Sequence, residues 1–408
     1  MKAIPKDSLN VRCVGSCDTP DMACGVAVSG NYAYVADRGS GLRVVDISNP
    51  AYPYEVGFCG TLDYAWGVAV SGSYAYVADW DVGLGVVDVS DPANPFAEGF
   101  YDNSGFADGV AVSGSYAYVA AGDSGLRVVD VSDPAHPYEE GFYDTPGTAR
   151  GVAVSGSYAY VANGYAGLRV VDVSDPAHPY EEGFLNTPDW VNGVAVSGSY
   201  AYVADWIAGL RVVDVSDPTH AFEEGFYDTP GAAYGVAVSG SYAYVADRGS
   251  GLRVVDVSDP ANPFEEGFYV TPGEAFGVAL SGSYAYVADG DYGLIILEFI
   301  GGTGVEEKLS AAGELPSTYS LSQNYPNPFN ACTEIRYQIP EDRRITLKIY
   351  NVTGQEIVTL VDDQHAAGAY TAIWNGRDAH GTEVSAGIYF CTMKVGEFTQ
   401  TRKMVLLK

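Results

Sequence analysis

Residues 109–120 read GVAVSGSYAYVA, and this stretch decides the fold because it recurs along the chain. Six other copies, four of them identical and two differing at a single position, occur at a constant spacing of 42 residues without insertion or deletion. The copies begin at Gly25, Gly67, Gly109, Gly151, Gly193, Gly235 and Gly277. Self-similarity at a fixed period of this size is typical of solenoids and β-propellers.

Each repeat unit contains four short β patterns. In the third copy these are GVAVSG (109–114), YAYVA (116–120), GLRVVDV (125–131) and YEEGFYD (138–144). The SG pair predicts a hairpin turn, and the DPxxP segment at 133–137 breaks the chain because proline does not fit inside a central strand. Four strands per unit of this length are typical of a propeller blade. The Glu-rich fourth strand suits an exposed outer edge. The sequence therefore predicts an all-β, seven-bladed β-propeller over residues 1–302.

The two ends of the repeat region complement each other. The last copy stops after its third strand, GLIILEF at 293–299, and the N-terminal VRCVGSCDTP at 11–20 aligns with EEGFYDTP. We therefore expect an N-terminal strand at about 9–17 to complete the last blade. The alternative is an open solenoid, which needs capping repeats with polar outer faces, and none is visible.

The motif GLRVVDVSDP at 125–134, present in seven variants, resembles the LVIVD-repeat family of propellers. The resemblance covers the repeat region and implies a secreted or surface protein. It implies no defined reaction and carries no catalytic residues over to this chain.

The C-terminal quarter has a different pattern. Residues 303–318 are rich in Gly, Ala, Ser and Glu and predict a linker. Beyond them Thr333, Ile335, Tyr337 and Ile339 alternate with polar residues, as in a half-buried strand. Further such strands separated by turn residues predict a small immunoglobulin-like β-sandwich over 319–408.

This quarter resembles the type IX secretion (type A) C-terminal sorting domain, which is related to FlgD-like immunoglobulin modules. The matching segments are EIRYQIP (334–340), KIYNVTGQEI (348–357), GIYFCTMKV (387–395) and KMVLLK (403–408). The sorting motif YPNPFN comprises Tyr325, Pro326, Asn327, Pro328, Phe329 and Asn330. The resemblance implies passage through the outer-membrane secretion machinery to the bacterial surface. That route requires an N-terminal export signal, and MKAIPKDSLN does not have the apolar core of one. We therefore expect the natural N-terminus to lie further upstream.

Charge narrows the classes of partner. The chain has 52 Asp and Glu against 21 Lys and Arg, a formal net charge of −31. Such a surface repels phosphates and anionic lipids, which argues against nucleic-acid and membrane-surface partners. No stretch of apolar residues is long enough for a transmembrane helix.

Differences between the repeat copies point to a candidate site. Two stretches differ most, one before the first strand of each unit and one after the second, and both are expected at the same face of the disc. The predicted ligand-binding residues are Tyr64, Trp66, Trp80, Asp81, Phe106, Asp108, Asp123, Arg150, Tyr165, Trp190, Asn192, Trp206, Tyr234, Arg248, Phe276, Asp291 and Tyr292. Arg38 occupies the repeat position of Trp80. Aromatic rings among Asp, Asn and Arg favour recognition of a glycan, a peptide or a protein. The alternative is neutral drift in loops.

Evidence for chemistry is weaker. His136, His178 and His220 share one repeat position in loops at the other face, where a tolerant turn position is the simpler interpretation. The repeated DVSDP could supply only some of the six to eight oxygens that calcium needs, so Asx turns explain it better than structural calcium. We expect no cofactor and no other metal. A hydrolase or lyase acting on an extracellular polymer through Asp81, Asp108 or Asp123 is the enzymatic alternative, and a structural surface-layer component is a third. The sequence leaves open whether Cys332 and Cys391 form a disulfide.

Overall fold

The computed structural model describes residues 8–103, 105–300, 306–307, 318–324, 327, 329–330, 333–341, 343–365, 367–374, 376, 378, 384–396 and 398–407. The chain divides into two compact units, Met1–Phe299 and Ile300–Lys408. None of the helices formed by the described residues has the length and apolar character to cross a membrane.

Unit 1 contains seven antiparallel sheets, six of four strands and one of five, which confirms the predicted seven-bladed β-propeller. The first strands are Gly25–Ser29, Ala65–Ser71, Gly109–Ser113, Gly151–Ser155, Gly193–Ser197, Gly235–Ser239 and Gly277–Ser281. The second strands are Tyr32–Ala36, Tyr74–Asp79, Tyr116–Ala120, Tyr158–Ala162, Tyr200–Ala204, Tyr242–Ala246 and Tyr284–Ala288. The third strands are Leu42–Asp46, Gly83–Asp88, Leu126–Asp130, Leu168–Asp172, Leu210–Asp214, Leu252–Asp256 and Leu294–Phe299. The fourth strands of blades 1 to 6 are Tyr54–Cys59, Phe96–Tyr101, Tyr138–Tyr143, Tyr180–Leu185, Phe222–Tyr227 and Phe264–Tyr269.

Blade 7 takes its fourth strand from the other end of the unit. Val11–Cys17 pairs antiparallel with Leu294–Phe299, so the N-terminal segment joins the first and last blades. The short strand Ser8–Leu9, just before it, pairs with Phe264–Tyr269 and adds a fifth strand to blade 6. One segment therefore ties two neighbouring blades together.

The hydrophobic core lies between blades rather than within them. At the joint of blades 3 and 4, Leu126 and Val128 pack with Val161 and Val171, and all four are fully buried. Clusters of the same make-up fill the other joints of unit 1. The period-2 pattern of each strand serves this arrangement, because both faces of a blade must pack against a neighbour.

The first strands form the inner ring, and the glycine that begins each repeat sets its diameter. A Cβ placed on Gly25 would lie 2.6 Å from Trp66 O of the next blade, and one on Gly277 would lie 2.9 Å from Cys24 O. The same clash, at 2.6–2.8 Å, recurs at Gly67, Gly109, Gly151, Gly193 and Gly235. Only glycine permits this approach at all seven joints. The Gly277–Cys24 contact closes the ring and excludes the open solenoid.

The four strand connections of each blade divide between two faces. The SG turns and the DPxxP loops share one face, where Asp side chains cap the chain: Ser132 N–H donates to Asp130 Oδ1 (2.8 Å). This Asx-type turn is the one expected from the sequence. A single 3₁₀ turn, Pro218–His220, also lies in one of these loops. The turns after the second strands and the segments before the first strands lie on the opposite face, here called the variable face.

Unit 2 is a two-sheet sandwich. One sheet has the order Glu306–Glu307, Gly368–Trp374, Thr333–Ile339 and Ser320–Leu321. The other has the order Phe329–Asn330, Phe398–Leu407, Gly387–Val395, Arg343–Asn351 and Glu356–His365. The predicted alternation holds, because Thr333, Ile335, Tyr337 and Ile339 are all buried.

The predicted linker differs from the structure at one point. Glu306–Glu307 pairs with Thr371 and Tyr370, so a short strand lies within 303–318. A two-residue strand leaves no periodicity in the sequence to reveal it. Most of the remaining linker lies outside the described residues.

Candidate functional site

The variable face begins with a ring of seven side chains around the central channel, here called the floor. Each floor residue directly precedes the first-strand glycine of its blade. The floor consists of Cys24, Trp66, Asp108, Arg150, Asn192, Tyr234 and Phe276. Six of them donate a backbone N–H to the alanine carbonyl that ends the second strand, at 2.8–3.0 Å. The backbone therefore fixes each floor position whatever its side chain.

A second ring lies in the turns after the second strands, here called the turn ring. It consists of Arg38, Trp80, Gly122, Gly164, Trp206, Arg248 and Gly290. All seven have positive φ, between 40° and 56°. Each carbonyl accepts the N–H of an Ala or Val in the next blade, at 2.9–3.1 Å. Three copies use glycine, as this backbone favours, whereas four hold Arg or Trp at a cost of roughly 1–2 kcal/mol each.

Buried polar groups hold these turns in place. Asp247 Oδ1 accepts from Thr229 Oγ1 (2.6 Å), and its Oδ2 accepts from Gly231 N–H (2.8 Å). Equivalent bonds to Thr form at Asp37 and Asp205. Burial raises the pKa of Asp205 to about 6 although Thr187 donates to it. These residues serve the fold in most blades.

The predicted aromatic residues of blades 1 to 3 lie in contact. The ring centroids of Trp66 and Trp80 are 5.6 Å apart, and those of Trp80 and Phe106 are 4.7 Å apart. The Arg38 guanidinium lies 4.8 Å from the Tyr64 ring centroid and 5.9 Å from that of Trp66. Together these side chains form a continuous surface of aromatic rings with the Arg38 guanidinium at one end.

Two further groups complete the variable face. Arg150 lies over Trp190 (5.4 Å), and Trp190 meets Tyr165 edge to face (4.5 Å). The Tyr234 ring centroid lies 6.3 Å from that of Trp206 and 5.3 Å from that of Phe276. Arg248 lies over both Trp206 and Phe276 and pairs with Glu274. Aromatic and charged side chains from every blade thus contribute to one face.

Asp108 is the one carboxylate among the seven floor residues, and its pKa is strongly perturbed. Its side chain is only 8% exposed, and Oδ2 lies 3.2 Å from Arg150 Nη1. Its Oδ1 has no hydrogen-bond partner among the described residues, and neither does Trp66 Nε1. Burial raises the pKa of Asp108 to about 7 even though Arg150 opposes the rise.

Tyr234 links opposite sides of the floor. Burial raises its pKa to about 12, and the Asp108 carboxylate adds to the rise while Arg150 opposes it. Asp108 and Arg150 belong to blades 3 and 4, whereas Tyr234 belongs to blade 6. Side chains from distant blades therefore interact across the channel.

The remaining predicted site residues occupy the edge of the variable face. Asp81, Asp123 and Asp291 lie exposed at the turn tips, where Asp123 accepts from Thr148 Oγ1 (2.9 Å). Asn192 turns back to the backbone and donates to Trp190 O (3.2 Å). Tyr292 packs beside Gly273. Sequence reasoning left Arg38 out of the site, although its repeat position, shared with Trp80 and Arg248, could have identified it.

The histidines bond within their own loops at the opposite face. His136, His178 and His220 each lie 3.0–3.1 Å from the Asp three residues earlier. In the part of the chain that the structure describes, no three or more His, Cys, Asp or Glu side chains gather as a metal site would require.

The predicted sorting motif of unit 2 is partly described. Asn327 Nδ2 donates to Lys403 O (3.2 Å), and Asn327 Oδ1 accepts from Val405 N–H (2.9 Å). Phe329–Asn330 runs parallel to Leu406 and Leu407. Tyr325, Pro326 and Pro328 lie outside the described residues, and so does Cys332 of the possible disulfide, whereas Cys391 is buried.

Solved structures share the fold of unit 1. The β-propeller domain of Cps50 (Swd1) from Myceliophteria thermophila is 13% identical with a TM-score of 0.57, over 71% of this chain and 99% of that one. The WD40 repeats of RRP9 are 12% identical with a TM-score of 0.56, over 71% of this chain and 97% of that one. A computationally designed protein, Ika8, is 9% identical with a TM-score of 0.53, over 70% and 99%. At these identities the likeness concerns the fold alone.

No curated protein matches the chain. The FlgD Ig-like domain matches residues 332–397, so unit 2 contains such a domain. The LVIVD repeat matches seven segments, 20–61, 63–103, 104–145, 146–187, 190–229, 230–271 and 272–298. Since these segments cover more than half of the sequence, the chain belongs to the LVIVD-repeat family.

Proposed function

We propose that this chain is a secreted or surface-attached binding protein that recognises a glycan, peptide or protein through its variable face. The observation that carries the proposal is the turn ring. Arg38, Trp80, Trp206 and Arg248 hold positive φ at positions where glycine suffices in three other blades. Strained backbone of this kind concentrates at functional sites. Drift would rarely settle on bulky residues that cost stability.

The experiment is a glycan and peptide array probed with the full chain. We expect a ligand whose binding falls at least tenfold for Trp80→Ala and Trp206→Ala, because each removes a ring that forms the binding surface. Tyr138→Ala is the matched control, since this exposed aromatic lies on a fourth strand. Ligand binding that survives both tryptophan changes would refute the proposed face.

An enzymatic function is the second candidate, and Asp108 favours it. A carboxyl whose pKa lies near 7 suits general acid–base catalysis at neutral pH. Release of product from an extracellular polymer, abolished by Asp108→Asn, would support a hydrolase or lyase. If the chain neither binds nor cleaves, a structural surface-layer role is favoured.

Export through a type IX route is part of the proposal. The FlgD Ig-like match and the YPNPFN motif support it. The partner would then be the outer-membrane secretion machinery, and the protein would reach the cell surface.

A further inference from the structure

Several departures from the repeat lie at the junction of blades 2 and 3. Gly85 occupies the repeat position that Arg43 and its counterparts hold in five blades. Ala121 replaces the buried Asp of the turn, and Asn103 replaces its Thr partner. The strand Ala65–Ser71 begins two residues earlier than the first strands of the other blades.

The same junction offers an apolar platform beside unsatisfied polar atoms. Trp80 lies between Trp66 and Phe106 with its ring tilted to both, and Phe106 remains 44% exposed. Next to this platform, Asp108 Oδ1 is a buried acceptor without a partner, and Trp66 Nε1 is a buried donor without one. A Cβ on Gly67, the residue after Trp66, would lie 2.8 Å from Asp108 O, so the two floor positions are adjacent.

These two atoms are more informative than the unpartnered arginine nitrogens. Arg Nε atoms also lack partners at the repeated positions Arg43, Arg127 and Arg169, so the same lack at the variable face carries no information. Among the floor residues, Asp108 Oδ1 and Trp66 Nε1 are the unpartnered buried atoms that do not belong to an arginine. A buried polar atom without a partner destabilises the fold, and a ligand that bonds to it removes that cost.

We propose that the junction of blades 2 and 3 binds a neutral sugar ring of a glycan. This inference rests on the proposed function and narrows its ligand class. A sugar hydroxyl donates to Asp108 Oδ1, a second hydroxyl accepts from Trp66 Nε1, and the apolar face of the ring stacks on Trp80 and Phe106. Arg150 holds the carboxylate in place through Oδ2.

Other ligand classes fit less well. An anionic sugar would be repelled by the Asp108 carboxylate and by the net charge of −31. A peptide that adds to a sheet edge needs free backbone groups, but Ala107 N–H already donates to Trp80 O (3.0 Å).

The test is calorimetric titration of the full chain with neutral oligosaccharides built from glucose, galactose, mannose or N-acetylglucosamine. We expect saturable binding of at least one of them. Trp80→Ala and Asp108→Asn should each weaken the Kd about tenfold or more, through loss of stacking and of a charge-assisted hydrogen bond. Trp66→Phe keeps a ring but removes Nε1, so it should also weaken binding. It serves as the test variant if Trp80→Ala does not fold. Tyr180→Ala, on an outer strand, should leave the Kd unchanged.

Two outcomes overturn the inference. One is the absence of saturable binding to any neutral oligosaccharide, or binding that Asp108→Asn and Trp66→Phe leave intact. The other is a peptide or protein ligand whose binding needs Trp80 and Trp206, which would refute the sugar and leave the proposed function standing.

Discussion

The arginines of the propeller fall into two groups, one at a repeated position that serves the fold and one at the variable face. Five arginines of the propeller occupy one repeat position and stack on a fourth-strand phenylalanine at 4.5–4.8 Å, namely Arg43, Arg127, Arg169, Arg211 and Arg253. Arg12 pairs with Glu298 in the closing blade. The other arginines among the described propeller residues are Arg38, Arg150 and Arg248, and all three lie at the variable face.

Asp108 should give the propeller a pH-dependent stability. Its folded pKa of about 7 lies above its ordinary value of 3.8, because burial outweighs the attraction of Arg150, and Tyr234 is the other titratable group in range. The stabilising effect is complete below pH 3.8 and is lost as the pH rises through about 7. In Asp108→Asn this loss should be absent. Between pH 4 and 7 the difference in unfolding free energy between wild type and variant should change by up to roughly 1.4 kcal/mol per pH unit.

Denaturant unfolding of both proteins at several pH values measures this difference. Other buried aspartates, such as Asp205 and Asp289, titrate in both proteins and cancel. Asp123→Asn, an exposed change on the same face, should keep the wild-type profile. A pH-independent difference for Asp108→Asn would contradict the assignment.

The repeat alignment predicted candidate positions for the site but not how their side chains pair. Asp108 and Arg150 occupy the same repeat position in neighbouring blades, and their ion pair depends on the ring diameter that the glycines set. The positive φ of Trp80 and Trp206 was equally hidden, since only the glycines at that position in other copies hint at it.

At the scale of elements, the closing strand should carry much of the stability of the propeller. Val11–Cys17 supplies a hydrogen-bonded edge to blade 7, and Val11 and Cys13 pack into the joint of blades 6 and 7. Deleting residues 1–20 opens the ring, and we expect the Tm to fall by about 10 °C or more. Differential scanning calorimetry measures the change.

Deleting only residues 1–7 is the control, since it leaves both N-terminal strands in place. That variant should melt like the full chain. If the longer deletion also leaves the Tm unchanged, the joint between the first and last blades does not depend on this strand.

The strands themselves were largely predictable, because alternation and turn residues repeat in every blade. Among the described residues, four two-residue strands were not: Ser8–Leu9, Glu306–Glu307, Ser320–Leu321 and Phe329–Asn330. Ser8–Leu9 and Glu306–Glu307 are two-residue strands that exist only through their partners, Tyr269 and Phe268 for one, Thr371 and Tyr370 for the other. No local pattern distinguishes such segments from coil.

At the scale of the whole molecule, the proposed export route can be tested. Expressed with a periplasmic signal in a bacterium that has a type IX system, the full chain should appear on the cell surface, and a chain ending at residue 302 should stay in the periplasm. Protease accessibility on intact cells distinguishes the two locations. A host without the secretion system is the control, and in it neither chain should reach the surface. Surface exposure of the shortened chain in the host with the system would refute the role of unit 2.

The floor has a practical consequence. Six of its residues are anchored by a backbone N–H, all seven precede a glycine that makes the joint, and so the side chains take no part in closing the ring. The seven floor codons, spaced 42 apart in the gene, can therefore be randomised together while the scaffold remains the same. The chain is a suitable template for a display library, in which new binders are selected by altering only the floor residues.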